Sequence, residues 1–189
     1  MNAKQFAALL VELNACSEAQ EWASGKSLAA VWKTCKRGDW LLWLCGKMAD
    51  KPNWPTRKEV VLAACDCAEL ALKYVPEGEE RPRKCLETAR AWAAGNATTD
   101  EVRMARRAAY AYAAYAADAA AAYAADAAAS AVAYAAHAAY AAVAYAAEAA
   151  YAYAYAYADA DADADAARTK TLAKCAVLVR KRLKVQDIR

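Results

Sequence analysis

From residue 111 to residue 154 the chain repeats itself every eleven positions, as AYAAYAADAAA, AYAADAAASAV, AYAAHAAYAAV and AYAAEAAYAYA. Eleven residues make three turns at about 3.67 residues per turn, so a straight or weakly right-handed α-helix keeps each repeat position on a constant face. One slot carries Tyr112, Tyr123, Tyr134 and Tyr145, and the next carries Tyr115, Asp126, His137 and Glu148. The non-alanine slots wind over about half of the helix, and the opposite face is almost pure Ala. Such a face lets a second helix approach near the lower end of the usual axis separation, about 8 Å. We therefore expect the Ala face to be the packing surface and the Tyr face to cover a core edge or meet a partner.

Length is the difficulty. Residues 100–155 in one helix would span roughly 80 Å, against a radius of gyration of about 16 Å for a compact chain of 189 residues. The segment must protrude, pair with another molecule, or bend, either as one helix or as a hairpin. The alternation from Tyr153 to Asp165 is its weakest part. Asp159/Asp163 and Asp161/Asp165 are like-charge pairs four apart, and Asp is a poor helix-interior residue. A break is expected there, followed by a last helix with Leu172, Cys175, Ala176, Val179 and Leu183 on its buried stripe.

The rest of the chain also reads as helix. Only 5 Gly and 4 Pro occur in 189 residues, and all six Trp fall in the first 95. Phe6, Leu9, Leu10 and Leu13 recur at helical spacing. Ser17 with Gln20 and Thr56 with Glu59 have the spacing of capping boxes. Gly38 is expected to end one helix and Asp39 to cap the next. Val60 to Val75 reads as an amphipathic helix stopped by Pro76, and the next helix runs to Gly95. The expected class is all-α, in three parts. Residues 1–97 form a bundle of short helices with a Trp-rich core. Residues 98–166 form the repeat helix or hairpin, and 167–189 a basic helix packing back on the bundle.

Charge is unevenly distributed. Between Ala108 and Ala167 there are seven acids and no Lys or Arg, while the remainder carries 25 basic and 15 acidic side chains. An acidic module is thus joined to a basic one. The seven cysteines are odd in number and no apolar leader precedes them, which reads as reduced thiols in a cytoplasmic protein. No stretch is apolar enough to span a bilayer, so no membrane association is expected.

Catalytic and metal readings find little support. Cys65 and Cys67 would point about 200° apart on a helix, so they cannot chelate one zinc ion together. His137, the single histidine, has no nucleophile or orienting acid at hand. The alternating Asp159, Asp161, Asp163 and Asp165 lack the glycine turn and bidentate glutamate of a calcium loop. The basic residues at 170–184 have no interleaved aromatics to suggest nucleic acid. We expect no catalytic residue, no metal and no cofactor.

The run Ala30-Val31-Trp32-Lys33-Thr34-Cys35-Lys36-Arg37-Gly38-Asp39-Trp40-Leu41-Leu42-Trp43-Leu44 resembles the alanine-rich "putative immunity protein" family of phages and bacteria. Similar blocks follow at Val61–Cys65, Tyr74–Lys84 and Ala167–Cys175, with Ala/Tyr-rich sequence between the last two. The resemblance implies a small helical protein that binds and neutralises a toxin, or works in phage–host conflict, without catalysis. The residues then point to a contact face of Tyr112, Tyr115, Tyr123, Asp126, Tyr134, Tyr145, Glu148, Asp159, Asp161 and Asp163 for a basic protein partner. The alternative is a structural protein forming homodimers through its Ala face.

Overall fold

The computed structural model of the protein describes residues 1–115, 119–131, 136–158 and 161–185. Among these there are ten α-helices and no strand, which is the all-α class expected. The first half holds α1 (Ala3–Glu12), α2 (Ser17–Ala23), α3 (Leu28–Thr34), α4 (Gly38–Met48), α5 (Arg57–Glu69) and α6 (Arg81–Ala94), with a 3-10 turn at Leu72–Tyr74. The second holds α7 (Thr99–Tyr115), α8 (Ala119–Ala131), α9 (Ala136–Ala158) and α10 (Asp161–Arg182).

Local chemistry explains several of the helix ends. Thr56 Oγ1 accepts from the Glu59 amide at 3.3 Å, while Glu59 Oε2 accepts from the Thr56 amide at 2.7 Å. The same reciprocal box joins Thr98 to Glu101 and Asn2 to Gln5. Gly95 closes α6 at φ +85°, a left-handed conformation that glycine adopts without penalty.

Three sequence expectations are corrected. Ser17 is not a cap: Cys16 precedes α2, and Gln20 Nε2 donates to Ala15 O at 2.7 Å. The helix expected to run to Val75 stops at Glu69 and continues as the 3-10 turn. Gly38 does not end α3, which stops at Thr34, but opens α4 against α10. A Cβ on Gly38 would lie 2.6 Å from both Ala176 N and Cys175 Cβ, so only glycine fits. That close approach accounts for the Arg37-Gly38-Asp39 sequence.

The repeat is three helices. α7 packs on α6 and α8, α8 on α9, and α9 on α4, α5 and α10. Tyr123 precedes the α8–α9 connection by about as much as Tyr145 follows it, and their rings stack at 6.3 Å and 21°. The two helices therefore run antiparallel. Their Ala faces are interior: Ala124, Ala127 and Ala128 of α8 and Ala142, Ala146 and Ala149 of α9 are all within 1% of complete burial. These Ala side chains are thus covered inside one chain. The long segment is thus folded into α7, α8 and α9, which pack on one another, with α10 following. The break expected in the Asp alternation falls on residues 159–160, outside the described residues.

α10 seals the bundle. Leu172, Cys175, Ala176, Val179 and Leu183 are buried as expected, and the helix lies against α4, α5 and α9. The Arg180 guanidinium donates to the carbonyls of Trp32 and Cys35, satisfying acceptors left over at the end of α3. Arg182 pairs with Asp66, which also meets Arg90, and Arg90 Nη2 reaches Glu69 Oε2 at 2.6 Å. Two of the C-terminal cations are therefore engaged within the fold. Six cysteines are buried, and burial pushes the Cys65 and Cys85 thiols up to about 12. Such thiols are inert.

Candidate binding surface

The repeat tyrosines and acids divide by what they touch. Tyr123 and Tyr145 are half-buried, stacked on each other and packed on the core. Tyr112 is half-buried under the Arg81 guanidinium, whose centre stands 5.0 Å from the ring. Glu148 Oε1 lies 2.7 Å from Arg168 Nη2, tying α9 to α10. These side chains serve the packing of the bundle. Tyr134 and Asp159 lie outside the described residues, as do the side chains of Tyr115, His137 and Asp161.

Asp126 stands apart. It sits half-buried on α8, and burial holds its carboxyl above the ordinary carboxylate range. A carboxyl whose pKa is higher folded than unfolded binds more protons in the native state across that interval. Stability therefore falls as pH rises from the unfolded value, about 3.9, through the folded one. Asp126→Asn should raise the midpoint of denaturant unfolding modestly at pH 7 and leave it unchanged below pH ~3.5, where both forms are neutral. A lower midpoint at pH 7 would mean that the ionised carboxylate is favoured in the fold.

Exposed tyrosines and acids occur where α9 ends and α10 begins. Tyr153 and Tyr155 are 46% and 55% exposed, and Asp163 and Asp165 are exposed as well. At 3.6 residues per turn, positions 148, 151 and 155 fall within about 60° of one another. Glu148 on that face reaches α10, so the same edge of α9 leads past Tyr151 and Tyr155 toward the acidic start of α10. Tyr151 and Tyr155 stack at 6.1 Å with planes only 8° apart. Tyr153 emerges on the opposite flank, where it meets Tyr74 at 4.9 Å. Tyr151, Tyr153, Tyr155, Tyr74 and Asp165 were not part of the contact face expected from the sequence. The eleven-residue register breaks into strict alternation here, and the register was the signal being followed.

The arrangement suits recognition. Stacked phenol rings present large, stiff, amphipathic area, and the carboxylates alongside have no Lys or Arg among residues 108–167 to neutralise them from within the segment. Among the described residues no three His, Cys, Asp or Glu side chains converge as a metal site would require. Nor is any helix there long and apolar enough to cross a membrane.

Comparison with known proteins bears on this directly. Residues 54–177 match the family described as Imm-5 like putative immunity protein, which spans α5 to α10 up to Val177 and includes the whole repeat. The chain belongs to that family. No curated protein and no solved structure gives a match. For this Imm-5-like protein, membership carries an immunity-type role and, in general, a protein partner. The matched region starts at Trp54, so the Trp-containing run at 30–44 lies before it. The exposed tyrosines and acids at the α9–α10 end lie inside it.

Proposed function

We propose that this Imm-5-like protein is a non-catalytic inhibitor that binds a basic protein, of toxin or phage–host-conflict type, through the end of α9 and the start of α10. The observation that carries the reading is the stacked pair Tyr151 and Tyr155 near the end of α9, with exposed Asp163 and Asp165 in the first turns of the helix that follows. Tyrosine supplies buried area at low entropy cost, and the acids of a segment with no Lys or Arg among residues 108–167 steer a cationic partner. Within the expected face, Tyr112, Tyr123, Tyr145 and Glu148 shape and stiffen the support, and Asp163 belongs to the contact.

The partner is to be captured from the native host and its affinity measured by titration calorimetry. Tyr155→Ala should weaken binding by roughly 30-fold, the scale of an aromatic anchor at an interface. Asp163→Lys with Asp165→Lys should slow association and reduce its salt dependence. Both variants change exposed positions, so circular dichroism and thermal midpoint should match the parent. Full affinity in both variants would eliminate this surface. Tyr123→Ala or Tyr145→Ala is a poorer probe, since loss of the stacked pair loosens α8 from α9.

A further inference from the structure

Outside the repeat, α1, α2 and α4 line a partly open cleft of about 330 Å³. Its walls are Phe6 and Leu10 of α1, Trp22 of α2, and Trp40, Trp43 and Leu44 of α4. That volume is at the lower end of the range for small-molecule sites, about 300–1,000 Å³.

The walls are braced. Trp22 and Trp40 pack against each other as a tilted pair, with ring centroids 6.0 Å apart at 58°. Each of the three indoles carries a cation over a face: Lys26 Nζ at 4.4 Å on Trp22, Arg37 at 4.3 Å on Trp40, and Lys47 Nζ at 5.8 Å on Trp43. Arg37 is itself fixed, with Nη2 2.6 Å from Asp39 Oδ2 and Nη1 3.1 Å from Glu18 Oε1. Lys26 is held by the Trp22 carbonyl. The indoles are thus held in position in the wall by their cation contacts and by the tilted Trp22–Trp40 packing.

The lining also sets the chemistry of an occupant. Its charged members, Arg37 and the buried Asp39, neutralise each other at hydrogen-bond distance. A charged guest would lose its hydration and find no free counter-charge, whereas an apolar ring would lose nothing and gain contact with three indoles. We infer that this cavity is a binding site for a small uncharged aromatic molecule, separate from the protein-binding surface at the α9–α10 end.

Cys16 provides the test. It lines the cavity and is exposed, while the other six thiols are buried. An aromatic disulfide reagent that releases a coloured thiolate should therefore modify one thiol quickly in the native protein. Indole serves as the probe, with tryptamine and indole-3-acetate as its cationic and anionic relatives. At nine times its dissociation constant indole should slow modification of Cys16 about tenfold, and the charged relatives should not. Ala19→Phe, which places a ring in the space, should abolish the protection while the helical circular dichroism persists. No protection by indole up to its solubility limit overturns the inference. So does equal protection by the charged relatives, or undiminished protection in the Ala19→Phe protein.

Discussion

Replacing Gly38 by alanine should lower folding stability by about 3 kcal/mol, the upper range for a group forced into filled space. The contact is unusual because the neighbours are backbone and Cβ atoms of α10, which cannot rotate away. The new methyl would stand 2.6 Å from Ala176 N and from Cys175 Cβ. Ordinarily a glycine inside a helix is the weaker choice, and alanine would gain up to ~1 kcal/mol. The tertiary contact reverses that sign. Gly25 is the control: it has φ +71° and no neighbour within 4 Å of an added Cβ, so Gly25→Ala suffers only left-handed strain, about 1–2 kcal/mol. Denaturant midpoints of the two variants check the ordering. A Gly38→Ala protein as stable as the parent would mean that α4 and α10 can separate freely.

Ala146→Leu should come next, with a loss of about 2–3 kcal/mol from overpacking. Ala146 is 1% exposed on α9, within the interior that Ala124, Ala127 and Ala128 of α8 also fill. Leucine is as apolar as the core could ask and nearly as good a helix former as alanine. Hydropathy and propensity alone therefore predict a neutral or favourable change. The opposite result follows only if alanine is there to bring the helix axes close, so thermal unfolding of this one variant separates the two accounts. An unchanged midpoint would leave the Ala faces without a packing role.

How much of this could be read in advance varies with the range of the interaction. The box at Thr56–Glu59, the start at Thr98–Glu101 and the left-handed stop at Gly95 are decided within a few residues, and the sequence displays them. Ser17 and Gln20 have the same spacing, but Gln20 turns back to the Ala15 carbonyl instead. Gly38 was legible as special but assigned the wrong cause, because its partner lies more than a hundred residues away on α10. The Ala face was legible from the eleven-residue period. The division of the repeat into α7, α8 and α9 was not, since no Gly or Pro follows Gly95 to mark a turn. Burial of two Ala faces against each other and against α4, α5 and α6 outweighs the local preference for one continuous helix. For the same reason Tyr123 and Tyr145 looked like contact residues. Their stacking appears only when two repeats are folded face to face.

The seat of Gly38 against α10 also has a bearing on timing. The first four helices leave the ribosome long before the residues that close over them at 172–183, and synthesis proceeds at about 5–20 residues per second. For several seconds a nascent chain would display the unsealed side of α4 and α5, in need of shelter from other apolar surfaces. The proposed contact edge is completed only as α10 docks, so protection against a fast-acting toxin would depend on molecules finished beforehand.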